Sequence, residues 1–166
     1  AVATEPSYYL TAVSAATDGT LAVRPAPAVA LRAVGDSGSL QTELHLVGRS
    51  GVNTRAGIAR PFSWLMALNP ANPRLVAAGI LDPRAGTQDL CLLNLQDDSI
   101  SPVTTTRGFT GNPVWSPDGA RLAYAYQPPG QLDDVWIKDL RTGGNEPVFE
   151  TPKVLEHPLG WSHDGR

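Results

Sequence analysis

Apolar and polar residues alternate along much of this chain, in short runs broken by Gly, Pro, Asn and Asp. In the clearest run, Arg121-Leu122-Ala123-Tyr124-Ala125-Tyr126, one face carries Leu122, Tyr124 and Tyr126 and the other carries small residues. That period of two predicts a β-strand. Asp118-Gly119 just before it is a turn signal, because both residues tolerate positive φ. The preceding strand is predicted over Asn112–Ser116. Pro128-Pro129-Gly130 reads as a loop, Val135–Leu140 as a third strand turned by Arg141-Thr142-Gly143-Gly144, and Pro147-Val148-Phe149 falls in a short fourth. Other strands are predicted to centre on Leu21–Arg24, Leu44–Val47, Leu75–Gly79 and Leu90–Leu95. No segment keeps helical apolar spacing over about 11 residues, so no helix beyond one or two turns is expected.

The strand pattern repeats. Trp115-Ser116-Pro117-Asp118-Gly119-Ala120-Arg121 returns as Trp161-Ser162-His163-Asp164-Gly165-Arg166, about 46 residues on. Leu68-Asn69-Pro70-Ala71-Asn72-Pro73-Arg74 is a worn copy, and Asp18-Gly19-Thr20-Leu21 an older trace. A second motif keeps the same period: Glu43–Arg49, Asp89–Leu95 and Asp134–Leu140 each open on a carboxylate and continue as an apolar strand. Two motifs alternating at one period mark a stacked repeat. Four antiparallel strands per unit describe a β-propeller blade. Blades are placed at residues 8–58, 64–105 and 112–151. Residues 157–166 form a stub, the first strand and turn of a fourth. The expectation for residues 1–166 is thus an all-β partial propeller of about three blades. Closed rings typically need 4–8 blades.

Composition sharpens this picture. Sixteen Gly and 15 Pro suit many tight turns. Charged residues are 17% and hydrophobic ones 42%, which fits a packed core. Net charge is −3 without a basic stripe, so no nucleic-acid partner is expected. No apolar stretch approaches the roughly 18 residues of a membrane helix, so no membrane insertion by this segment is expected. The chain opens with neither Met nor a signal peptide, and a mature or excised segment is expected. The single Cys91 reads as a small buried hydrophobe.

Candidate chemistry is thin. Gly35-Asp36-Ser37-Gly38 echoes a serine-protease nucleophile loop, but His45, His157 and His163 all follow it, against the order that family requires; a polar loop is expected instead. No Gly-x-Ser-x-Gly elbow, metal-spaced His pair or phosphate-loop Gly spacing occurs. No catalytic residue, cofactor or metal is expected. The recurring Asp18, Asp118 and Asp164 read as turn caps rather than calcium ligands. Trp115 and Trp161 share one repeat slot, which predicts packing between blades, and Trp136 is expected to be buried as well. Trp64 falls outside that slot and is the candidate for an exposed ring. Asp89 and Asp134 are expected to tie their strands to neighbouring turns.

Trp-Ser-Pro-Asp-Gly-x-Arg-Leu-Ala-Tyr followed by Asp-Val-Trp-Ile-x-Asp-Leu resembles the repeat of TolB-like β-propellers. Such repeats occur in periplasmic TolB, in the propellers of prolyl-oligopeptidase-type peptidases and in some bacterial receptor Ser/Thr kinases. The order Asp18-Gly19-Thr20-Leu21-Ala22, Leu44–Gly51 and two strong blades is most similar to the kinase-attached group. The resemblance covers the chain from about Ser14. It implies a non-catalytic binding or scaffolding module of a larger bacterial envelope or receptor protein, in a periplasmic or extracytoplasmic setting. The accessory propeller of a larger enzyme is the alternative. A protein or peptide partner is expected on the face with the loops between blades, where Arg60, Phe62, Arg84, Arg107, Phe109, Asn112, Gln127, Lys153 and His157 fall. Three blades and a stub further imply a homodimeric six-bladed ring or missing blades from a parent chain.

Overall fold

The computed structural model describes residues 8–15, 21–27, 42–47, 53–148, 151 and 154–165 of the chain. Twelve strands and no helix occur among them: β1 Tyr8–Ala15, β2 Leu21–Pro27, β3 Thr42–Val47, β4 Asn53–Arg60, β5 Phe62–Leu68, β6 Leu75–Asp82, β7 Thr87–Asn94, β8 Ile100–Pro102, β9 Phe109–Trp115, β10 Arg121–Gln127, β11 Asp134–Asp139 and β12 Asn145–Pro147. Each consecutive set of four forms an antiparallel meander. A single parallel bridge, Gln88 to Phe109, joins the second set to the third. The innermost strand β5 packs beside β1 on one side and β9 on the other. The result is all-β: four-stranded blades of a partial β-propeller. Lys153, the Asp18-Gly19 turn and the Gly35–Gly38 loop lie outside the described residues, as does the Trp64 side chain.

The second strand of each blade explains how blades stack. In β10, Leu122 and Tyr124 are buried on one face, and Ala123 and Ala125 on the other. In β6 the buried run is Val76, Ala77, Ala78 and Gly79. Small residues on one face let the next blade approach closely. Two apolar clusters result. One joins Leu44 of the first blade to Phe62, Met66, Leu68, Val76, Ala78 and Leu93 of the second. The other sets Trp115 and Leu122 of the third blade against Ala77 of the second.

Polar ties align these seams. Trp115, 6% exposed, donates its indole Nε1 to the Ala67 carbonyl at 3.0 Å. Trp161 repeats the bond to the Val114 carbonyl, also at 3.0 Å. The Asp-Gly turns are held too: Asn69 Nδ2 donates to Gly119 O at 2.9 Å, and Arg121 Nη2 to Gly165 O at 2.7 Å. Gly119 and Gly165 adopt φ of 67° and 73°, where a Cβ is penalised. Asp118 caps its own turn, accepting from Ser116 Oγ and the Ala120 N–H. Asp164 likewise accepts from Ser162 Oγ.

Two expectations need correction. Trp136 is only half-buried, because β11 is shielded on its outer side by a strand of just three residues. Its ring meets Tyr126 edge-on at 5.8 Å. The inner strand β9 begins at Phe109, three residues before the expected Asn112. Phe109–Gly111 pair with Ala125–Gln127, and Asn112, at φ 50°, starts a bulge that breaks the register opposite Tyr124.

Candidate functional site

The face opposite the Asp-Gly turns is built from the ends of β4, β6, β8 and β10 and the starts of β5, β7, β9 and β11. Main-chain bonds lace these ends together. Leu81 N–H donates to Pro61 O at 3.0 Å, Gln88 N–H to Gly108 O at 3.1 Å, and Glu156 N–H to Asp133 O at 2.9 Å. Arg60, at the end of β4, Arg84, in the β6–β7 turn, and Arg107, before β9, are exposed there. Phe109 and Gln127 are cross-strand partners at the rim; Phe109 is 43% exposed and Gln127 half-buried. Phe62 departs from the expected rim set. It is 6% exposed and packs in the core against blade one, because the start of β5 turns that ring inward.

His157 is tied to the rim through both ring nitrogens. Its Nδ1 accepts from Asn112 Nδ2 at 2.8 Å, and its Nε2 donates to Asp133 Oδ2 at 2.7 Å. An Asp–His pair can serve acid–base chemistry when one ring nitrogen faces substrate. Here both nitrogens are engaged, so the trio acts as a clasp that fixes residues 156–157 against β9 and the start of β11. Asn112 reaches His157 from its bulge, and the left-handed backbone aims it there. Asp133 was not among the sequence-derived rim residues. The repeat carried the signal, since Asp133 occupies the slot of Gln88, whose Nε2 likewise crosses to the next inner strand, at Thr110 O, 2.8 Å.

Behind the rim, Asp89 does what its place at the strand start implied. Its Oδ1 accepts from Thr104 Oγ1 at 3.0 Å and from the Thr106 N–H at 2.9 Å. Thr110 Oγ1 donates to Gln88 O and sits 2.9 Å from Thr104 Oγ1. These buried hydroxyls set the loop that carries Arg107 and leads into Phe109 at the start of β9. Cys91 is half-buried on β7; burial first, then the Asp89 carboxylate, pushes its thiol up, which keeps it protonated. Among the described residues, no group of three or more His, Cys, Asp or Glu is placed to hold a metal.

No protein-family model matches the chain, and no curated protein matches its sequence. Solved structures do match. The putative TolB of Agrobacterium tumefaciens superposes with a TM-score of 0.72 at 17% identity, over 98% of this chain and 53% of that one. An oligogalacturonate lyase solved with manganese gives 0.69 at 19%, over 99% and 46%. The acylaminoacyl peptidase of Pyrococcus horikoshii gives 0.61 at 14%, over 89% and 26%. The chain thus spans about half or less of these structures. At such identities the likeness establishes the fold, a β-propeller similar to those of TolB and of these enzymes, and the fold alone.

Proposed function

We propose that this chain is a non-catalytic binding module that takes a protein or peptide partner on its loop rim. One observation carries the reading: the rim presents a fixed surface that mixes an exposed aromatic, Phe109, with exposed guanidinium groups and the His157 clasp. A large exposed ring beside Arg is the composition of a protein-binding hot spot. The ordered loops lower the entropy lost on docking. To test this, a peptide display library is selected on the immobilised chain, and the recovered ligands are titrated against variants. Arg107→Ala, Phe109→Ala and His157→Ala should each weaken binding about tenfold, whereas His163→Ala, at the opposite end, should leave it unchanged. The reverse ranking would move the site.

The likeness to lyase and peptidase structures supports a second reading, in which the module is the accessory propeller of a larger enzyme. The finer resemblance to kinase-attached propellers rests on the sequence alone. Reading the flanking coding sequence separates these readings. A kinase domain and apolar span upstream mean a receptor kinase. A Gly-x-Ser-x-Gly domain downstream means a peptidase. Either setting is compatible with the extracytoplasmic location that the resemblance suggests.

A further inference from the structure

A cation stands just before the inner strands of blades two and three. Arg60 comes two residues before Phe62, and Arg107 two residues before Phe109; Lys153 keeps the same place one repeat later in the sequence. Main-chain bonds gather the two arginines around one hairpin. Pro61 O, next to Arg60, accepts from Leu81 N–H at 3.0 Å, and Gly108 O, next to Arg107, accepts from Gln88 N–H at 3.1 Å. Leu81 and Gln88 are cross-strand partners in β6 and β7. Arg84 sits in the turn just beyond that pair. Three arginines thus surround the end of the β6–β7 hairpin, and all three are exposed.

The carboxylates of the same hairpin are engaged by its own turns. Asp82 Oδ1 accepts from the Arg84 and Ala85 N–H groups at 2.9 and 3.2 Å. Its charge is felt by the Arg84 guanidinium, without a salt bridge between them. Asp89 Oδ1 turns to Thr104 and Thr106. Arg107 has no such partner: among the described residues its guanidinium forms neither a hydrogen bond nor an ion pair. Close by, Phe109 offers a ring that is 43% exposed. A guanidinium presents a planar fork of donors, and a carboxylate meets that fork with two parallel bonds.

We infer that the partner taken over blade two is an acidic peptide segment: its carboxylates meet Arg60, Arg84 and Arg107, and an apolar side chain between them rests on Phe109. This deepens the binding role proposed above and rests on it. A nucleic acid fits the surface less well. Such a polyanion is held by a continuous basic track with many phosphate contacts, whereas here three cations stand on a chain of net charge −3. A short acidic segment needs only local attraction, which salt confines to about 8–10 Å. Basic segments are turned away by like charge.

The probes are two rhodamine-labelled pools of short degenerate peptides, one drawn from Glu, Leu, Gly and Ser and the other from Lys, Leu, Gly and Ser, together with a labelled oligothymidine. Each is titrated into the full 166-residue chain and read by anisotropy. Saturable binding of the acidic pool is expected, weakened about tenfold when NaCl rises from about 0.05 to about 0.5 M. The double reversal Arg84→Glu, Arg107→Glu should weaken it about tenfold or more, with unchanged circular dichroism showing that the fold is retained. Arg74→Glu, at an exposed arginine on the opposite face, should leave it unchanged. Absence of acidic-pool binding would overturn the inference. So would equal binding of the basic pool or of the oligothymidine, or an effect of Arg74→Glu as large as that of the double reversal. A library-selected ligand that depends on Phe109 but not on Arg84 or Arg107 sinks the acidic partner alone. Ligands indifferent to Arg107→Ala, Phe109→Ala and His157→Ala alike sink the rim reading with it.

Discussion

Replacing Trp115 by Ala separates the energetics of a seam from those of a blade's outer surface. The ring is 6% exposed, packs with Ala77 and Leu122, and holds Ala67 O through its indole N–H. Truncating a buried aromatic to Ala costs about 3–5 kcal/mol. A net hydrogen bond of about 1 kcal/mol is lost with it, which places the cost near the middle of that range or above, about 4 kcal/mol. Trp136→Ala is the internal comparison. That ring is half-buried, so its transfer contribution is roughly halved, and its edge-on contact with Tyr126 adds about 0.5–1.5 kcal/mol; about 2 kcal/mol is expected in all. With a urea slope of about 2 kcal/mol/M, the midpoints fall by roughly 2 M and 1 M. Unfolding is followed by far-ultraviolet circular dichroism, since removing a Trp compromises fluorescence. Equal shifts for the two variants, or a midpoint of Trp115→Ala matching the parent, would refute the argument that Trp115 carries the seam.

The turns make two further predictions. Gly119→Val should destabilise more than Ala120→Val, because Gly119 sits at φ 67° and a Cβ there would lie 2.3 Å from Asn69 Oδ1, an atom pinned by two main-chain N–H groups; urea midpoints decide the comparison. The second concerns acid. Hydrogen bonds hold four turn carboxyls below their ordinary value of 3.8: Asp82 from the Ala85 and Arg84 N–H groups, Asp97 from Ser99, Asp118 from Ser116 and Ala120, and Asp139 from the Thr142 and Arg141 N–H groups. Each binds its proton more weakly when folded, so its stabilisation is complete above the unfolded value and is lost as pH falls through the lowered folded one. Stability should therefore fall below about pH 4. Asp139→Asn keeps an acceptor for the turn but removes the titration, and it should shallow the acid limb of a Tm-versus-pH curve while leaving Tm at pH 7 nearly unchanged.

Local chemistry made the turns and the second strands readable in advance. Asp118-Gly119 specifies its own backbone, and the alternation over residues 121–126 specifies which face is buried; neither needs distant information. Trp115 was legible as a seam residue because the repeat put Trp161 in the same slot. What the sequence misplaced depended on neighbours. Phe62 carries the same apolar signal as Phe109, yet one is core and the other rim, because blade one lies against the start of β5. Strand β9 was expected to start at Asn112, yet it starts at Phe109, where Gly108 and Gly111 on either side allow close approach of neighbouring groups: a Cβ at Gly108 would clash with the Gln127 carbonyl oxygen. The clasp was half visible. His157 stood out at the beginning of a unit, but Asp133 required the repeats to be aligned side by side, and Asn112 required its bulge.

The outermost strands of blades two and three, β8 and β12, are three residues long, and both finish in proline, at Pro102 and Pro147. A proline has no N–H to donate, and so short a strand offers little ladder to a newcomer. In blade three the remaining edge residues, Asn145 and Glu146, are polar and exposed. The outer edges of blades two and three are thus poor templates for β-addition, and these blades cannot readily extend outward into wider sheets. Growth from them is directed tangentially, face against face, where a newcomer must fit a shaped apolar surface. Both blades are thereby guarded against the fibrous association that open edges invite, and the direction they leave permissive follows the circumference.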